Sequence, residues 1–168
     1  MLGILRKVSK RLWQERLPAA GGAITLPEPH GPGAAGWPLE IRALLGSLRA
    51  RSYFQNNRRS GQRRTYQVQA TLWYRPPGQD ADLPPRQATI YTRDATARTL
   101  AFVTDVHLKP QQSVIIEIAC DGPTPPTRLY AQVRRCRQFR EGWFDCVVQL
   151  SSAPAGDAVI DARSCATS

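Results

Sequence analysis

The stretch YQVQATLWY, residues 66–74, alternates apolar and polar side chains and predicts a β-strand with one buried face. Five shorter runs with strand-like composition follow, at residues 87–91, 99–103, 113–119, 128–139 and 143–150. Turn-forming residues separate the runs, and no helical pattern lies between them, which argues against a βαβ nucleotide-binding fold. The sequence therefore predicts a mainly β fold of about six short antiparallel strands, arranged as a small barrel or a sandwich.

The last two runs predict a β-hairpin with a two-residue turn at residues 141–142. This turn pairs Val133 with Leu150, so that the apolar faces of the two strands coincide. In that register the side chain of Cys146 points inward and that of Cys136 points outward. A disulfide between these two cysteines would need a bulge or a slip of one strand, so we predict that they are not joined.

The remaining segments predict a chain with appendages around one domain. Residues 1–17 place apolar residues at helical spacing between basic ones and predict a basic amphipathic helix. Residues 18–37 are rich in Pro and Gly and predict a flexible linker that packs no core. Within residues 38–57, Ile41, Leu44, Leu45 and Leu48 recur at helical spacing and predict a one-sided packing helix, which is followed by a lead-in. Residues 58–150 predict the β domain, and residues 151–168 a weakly patterned C-terminal tail.

Positive charge is concentrated near the start of the chain. Residues 1–64 contain 12 Lys/Arg and 3 Asp/Glu, whereas residues 65–168 contain 11 and 10. Such an excess predicts an anionic partner, which could be nucleic acid, a lipid headgroup or a phosphate-bearing ligand. For residues 1–17, the pattern fits equally well an anionic membrane surface and a docking site on this domain or on a protein partner.

The sequence contains no recognisable catalytic or metal-binding constellation. The two histidines, His30 and His107, are not accompanied by a nucleophile pattern, and no HExxH, paired-acid or Gly-rich phosphate motif occurs. The four cysteines include no CxxC pair, which argues against a zinc site and fits a reducing compartment. We therefore predict a cytoplasmic, non-enzymatic protein with no cofactor or metal, and neither a signal peptide nor a membrane-spanning run is apparent.

An arginine cluster lies immediately before the first long strand and contains Arg58, Arg59, Arg63 and Arg64. Arginine presents a planar fork of donors that binds phosphate bidentately, reads the O6 and N7 edge of guanine and stacks on flat bases. By itself the cluster is also typical of a solvated basic loop.

Two short sequence motifs, one within the arginine cluster and one further along the chain, indicate a specific binding role for the cluster. The run RSGQR at 59–63, doubled by Arg58 and followed by an alternating strand, resembles the RxxxR motif that opens a PilZ domain. Further along, DATART at 94–99 resembles that family's second motif, D/N-x-S-x-x-G. The likeness covers residues 58–150. It implies a six-stranded antiparallel β-barrel, here preceded by short N-terminal helices, that binds the bacterial second messenger cyclic di-GMP.

The resemblance also implies roles for individual residues. Arg59 and Arg63 would grip phosphates and guanine edges, Arg58 would add a third contact, Asp94 would accept hydrogen bonds from a guanine, and Thr96 would offer a hydroxyl. The implied cyclic di-GMP site consists of Arg58, Arg59, Arg63, Asp94, Thr96, Arg98 and Thr99. The resemblance implies a cytoplasmic receptor or adaptor with an unidentified protein partner. If residues 1–17 bind lipid, this protein is located peripherally at the inner membrane.

The second motif departs from the family pattern at two positions. Thr96 replaces serine and keeps a hydroxyl, whereas Thr99 replaces glycine. If position 99 requires a positive φ, a β-branched residue there costs about 1–3 kcal/mol. A second interpretation is therefore a barrel that no longer binds ligand and acts only in protein–protein contacts. A nucleic-acid-binding barrel is disfavoured, because aromatic residues do not interleave with the basic ones.

Overall fold

The computed structural model describes residues 24–29, 33–55, 63–80, 82–120 and 123–151. Within these residues a 3₁₀ turn and one α-helix precede seven strands: the turn is Gly33–Gly36, α1 is Leu39–Gln55, β1 is Arg64–Thr65, β2 is Gln69–Tyr74, β3 is Arg86–Ala95, β4 is Thr99–Thr104, β5 is Ser113–Ile118, β6 is Thr127–Arg140 and β7 is Trp143–Ser151.

The strands form a closed six-stranded antiparallel β-barrel. Neighbouring strands pair in the order β3, β2, β5, β6, β7, β4, and the pairing of β4 with β3 closes the circle. The two-residue strand β1 pairs with the C-terminal end of β3. The prediction of a mainly β, six-stranded antiparallel barrel with a helix before it is confirmed.

The interior of the barrel is filled with apolar side chains. In residues 66–74, Tyr66, Val68, Ala70 and Leu72 are all buried, as the alternation predicted. They pack with buried side chains from β3 to β7, including Phe102 on β4. Because a barrel of this size is filled by its own side chains, a ligand must bind at its rim or on its outer surface.

Helix α1 covers part of the outside of the barrel. Its apolar stripe is buried and consists of Ile41, Leu44, Leu45 and Leu48, the four residues whose spacing predicted a one-sided helix. These side chains pack with Trp37 before the helix and Val103 on β4. The Nε1–H of Trp143 on β7 also donates to Glu40 Oε1 at 3.1 Å. The helix is therefore a packing element of the domain.

Part of the predicted linker belongs to the folded domain. Leu26 is 4% exposed and lies in the barrel core, and the backbone N–H of Ile24 donates to the Ala97 carbonyl at 3.0 Å. The Tyr66 hydroxyl donates to the Pro27 carbonyl at 2.9 Å. The prediction that residues 18–37 pack no core is therefore wrong for residues 24–29, and also for Trp37, which is buried against α1. Richness in Pro and Gly limits regular structure, but it does not prevent single apolar side chains from being buried.

The predicted register of the last hairpin is also wrong. The two-residue turn is present, with Gly142 at a φ of 72° that suits glycine, but irregularities in the pairing occur between Val133 and Arg135 and between Gln138 and Arg140. Val133 consequently pairs with Val148, and Cys136 lies directly opposite Cys146. The geometric reason for separating the two cysteines no longer holds, although both are free thiols in this structure.

Several predicted features lie outside the described residues: the amphipathic helix at 1–17, the first two arginines of the cluster, and the tail beyond Ser151. Among the described residues, no helix has the length and apolar character needed to cross a membrane.

Candidate functional site

The short pairing of β1 with β3 brings the two sequence motifs together. Thr65 pairs with Asp94 and Arg64 pairs with Ala95, which places the end of the first motif beside the start of the second. Arg63 Nη1 lies 3.7 Å from Asp94 Oδ1, and both side chains are partly exposed. An arginine fork and a carboxylate, far apart in sequence, thus face each other at one edge of the barrel.

A buried arginine stands directly behind Asp94. Strand β3 is irregular between Thr92 and Asp94, and the side chain of Arg93 between them is only 4% exposed. Arg93 Nε donates to Asp94 Oδ2 at 2.7 Å. Because this bond holds one carboxylate oxygen, the other oxygen of Asp94 faces Arg63.

Arg93 also connects Asp94 to further charged side chains on β6 and β7. Arg93 Nη1 lies 3.1 Å from Asp145 Oδ1 on β7, and Arg135 Nη2 on β6 donates to Asp145 Oδ2 at 3.1 Å. We call Arg63, Asp94, Arg93, Asp145 and Arg135 the Arg–Asp network. With all five groups ionised, its three guanidiniums and two carboxylates leave one positive charge, which favours an anionic ligand.

Burial sets the electrostatics of the innermost carboxylate. Desolvation raises the pKa of Asp145 above its ordinary value, while the positive charges of Arg93 and Arg135 oppose that rise. The negative charge of Asp94 adds slightly to the increase. Asp145 therefore depends on its two arginines to stay ionised. Its contact with Arg93 connects the candidate site to the β6–β7 hairpin.

Residues 96–98 form the tight turn between β3 and β4. Thr96 Oγ1 accepts hydrogen bonds from the backbone N–H of Thr99 at 3.0 Å and of Arg98 at 3.2 Å, and it lies 2.8 Å from Thr99 Oγ1. The Thr96 hydroxyl thus stabilises the turn. The Arg98 side chain is exposed, and its backbone carbonyl accepts a hydrogen bond from Leu150.

Thr99 has an ordinary strand conformation. It opens β4 and pairs with Gln149 on β7, and among the described non-glycine residues only Gln111 has a positive φ. The condition for backbone strain at position 99, a positive φ, is therefore not met, and this position does not need the conformational freedom of glycine.

The structure thus brings together two of the seven predicted site residues, Arg63 and Asp94. Two more, Thr96 and Arg98, lie in the turn that directly follows β3, and Thr99 is the first residue of β4. Arg58 and Arg59 lie outside the described residues. Three residues of the Arg–Asp network, Arg93, Arg135 and Asp145, were not predicted from the sequence. The available signal was the aspartate in FDCVV at 144–148, a charge within an otherwise apolar strand.

A separate small cavity lies between α1 and the segment before β2. It has a volume of about 230 Å³ and is lined by Ala34, Ala35, Arg42, Leu45, Gly46, Arg49 and Gln67. None of the predicted site residues lines it, and it is smaller than the roughly 300–1,000 Å³ typical of ligand pockets. The candidate site at Arg63 and Asp94 is therefore distinct from this cavity.

No group of three or more metal-ligating side chains is assembled within the described part of the chain. No protein-family model matches the sequence, and no curated protein matches it. The candidate site is accordingly assigned from its residues and their geometry.

Proposed function

We propose that this chain is a non-enzymatic receptor or adaptor for cyclic di-GMP, built on a PilZ-like barrel. The observation that carries the proposal is the 3.7 Å approach of Arg63 to Asp94, since it joins the two motifs that the ligand requires. Both residues are partly exposed and lie at the barrel edge, where a ligand has access. We place this receptor in the cytoplasm, where it acts through a protein partner, and the basic amphipathic pattern of residues 1–17 fits either a reversible contact with an anionic membrane or a docking site on a protein.

The chemistry of the two groups suits this ligand. Cyclic di-GMP carries two guanines and two phosphodiester charges. The Arg63 guanidinium can bind a phosphate or the O6 and N7 edge of a guanine with two parallel hydrogen bonds. The Asp94 carboxylate can accept hydrogen bonds from the opposite, donor edge of a guanine. The 3.7 Å separation is too long for a hydrogen bond between them, so a ligand does not have to break one.

Arg93 acts as a positioning residue in this proposal. Its hydrogen bond to Asp94 Oδ2 fixes the orientation of the carboxylate, and its approach to Asp145 fixes the guanidinium in turn. A carboxylate held in this way is preorganised, which lowers the entropy lost when a ligand binds.

A second candidate function is a barrel that acts only in protein–protein contacts. The hydrogen bonding of Thr96 favours it, because the hydroxyl that the resemblance assigns to the ligand already accepts two backbone hydrogen bonds within its own turn. Ligand titration separates the two candidates, since only the receptor binds cyclic di-GMP.

Substitution of Arg63 tests the proposed contact. Arg63→Ala should weaken cyclic di-GMP binding by about 1.5–3 kcal/mol, a tenfold or greater loss of affinity, because a charge-assisted bidentate contact is removed. Arg63→Lys should not restore binding, since an ammonium group lacks the planar fork. Isothermal titration calorimetry of the full chain measures both effects.

The matched control is Arg128→Ala, which removes an equal charge from an arginine on β6 that pairs with Glu117. This variant should bind like the original chain. Equal affinities for all the variants would show that Arg63 does not contact the ligand.

A further inference from the structure

Two cysteines face each other across the β6–β7 hairpin. Cys136 pairs with Cys146 in the antiparallel register, and the thiol of Cys146 donates to Cys136 Sγ at 2.9 Å. Directly opposite residues of antiparallel strands have Cα atoms about 4.5–5.5 Å apart, which lies within the range that a disulfide spans. The backbone therefore already holds the two sulfur atoms where a bond between them can form.

The two thiols have different surroundings. Cys136 is half-buried, and the backbone N–H of Leu108 also approaches its sulfur at 3.4 Å. The hydrogen bond from Cys146, helped by that of Leu108 and opposed by burial, lowers the pKa of Cys136 to about 7. Cys146 is fully buried, and its pKa is raised by the same hydrogen bond and by desolvation. Cys136 is thus the more acidic thiol of the pair, and Cys146 the less acidic one.

We propose that Cys136 and Cys146 form a peroxide-reactive dithiol that closes reversibly into a cross-strand disulfide. The proposal rests on the register and the contact between the sulfur atoms, and it is independent of cyclic di-GMP binding. Asp145 of the Arg–Asp network precedes Cys146 directly, so the bond would fix the hairpin beside the pairing of Asp145 with Arg135.

The reaction has two steps. The Cys136 thiolate attacks one oxygen of hydrogen peroxide, the O–O bond breaks, hydroxide leaves, and Cys136 becomes a sulfenic acid. The Cys146 sulfur then attacks the sulfenic sulfur, the S–O bond breaks, and the departing hydroxide takes the Cys146 proton as water. The hydroxide released in the first step takes up the proton that Cys136 lost on ionising, so that in total two thiols are oxidised to one disulfide and one hydrogen peroxide is reduced to two waters.

The test uses the full chain with the other two cysteines replaced, Cys120→Ser together with Cys165→Ser, so that only one intramolecular disulfide can form. After treatment with hydrogen peroxide, intact mass spectrometry should show the loss of two hydrogen atoms. Peptide mapping without reductant should identify the linked peptides that contain Cys136 and Cys146. Dithiothreitol should restore the original mass.

A matched chain with Cys136→Ser added should show no loss of hydrogen and no sulfenic acid that dimedone traps. Circular dichroism before and after oxidation should be the same, because the strands are already in register. The proposal is overturned if the two-cysteine chain remains reduced, or gains only oxygen atoms, under conditions in which an unstructured peptide thiol is oxidised.

Discussion

Replacing Arg93 by alanine should destabilise the barrel by about 3–5 kcal/mol, because it removes one partner from a buried set of ion pairs. The Arg93 side chain is 4% exposed and contacts both Asp94 and Asp145. Without it, the buried Asp145 carboxylate keeps only Arg135 as a cationic partner among the ion pairs of the described residues. Urea denaturation of the full chain, followed by circular dichroism, should show a large decrease in the midpoint with little change in slope.

Arg128→Ala is the control for charge and side-chain size. Arg128 also forms an ion pair, with Glu117 at 3.0 Å, but its side chain is 45% exposed. An exposed pair contributes about 1 kcal/mol or less. Similar losses of stability in the two variants would contradict the view that Arg93 holds a buried network together.

Replacing Phe102 by alanine should cost about 3–5 kcal/mol, since it leaves a cavity in the barrel core. Phe102 is fully buried on β4, opposite Thr92 on β3 and Cys146 on β7, so it packs where the barrel closes. The free energy of unfolding from urea titration measures the loss.

The matched apolar control is Leu83→Ala, because Leu83 is 53% exposed in the loop before β3. This change should alter stability by no more than about 0.5 kcal/mol. A loss below about 1 kcal/mol for Phe102→Ala would contradict a closely packed barrel interior.

The strands of the barrel could be predicted because burial imposes a period of two on them. The alternation at 66–74 and the apolar stripe of α1 are both found buried as expected. The register of the last hairpin could not be predicted in the same way. The C-terminal half of β6 is RRCRQFR at 134–140, and a largely polar run gives little signal for where the two extra residues are inserted.

Two residues of the candidate site could be predicted from local sequence motifs. A local motif identifies Arg63 and Asp94, and the β1–β3 pairing places them together. Arg93 and its partners could not be predicted from a local motif, because a buried charge is tolerated only where the fold supplies partners from strands that are distant in sequence. Such partners are invisible in a local pattern. The hydrogen bonds that the Thr96 hydroxyl accepts within the turn at 96–98 could not be predicted either, because they depend on the backbone geometry of the turn.

The most direct test of the central claim is a calorimetric titration of the full chain with cyclic di-GMP. We expect saturable heat at tens of micromolar ligand or below, and we expect the Arg63→Ala variant to lose most of that heat while remaining folded by circular dichroism. Folded protein that gives no saturable heat with cyclic di-GMP would contradict the receptor function and would favour a barrel that works only through protein contacts.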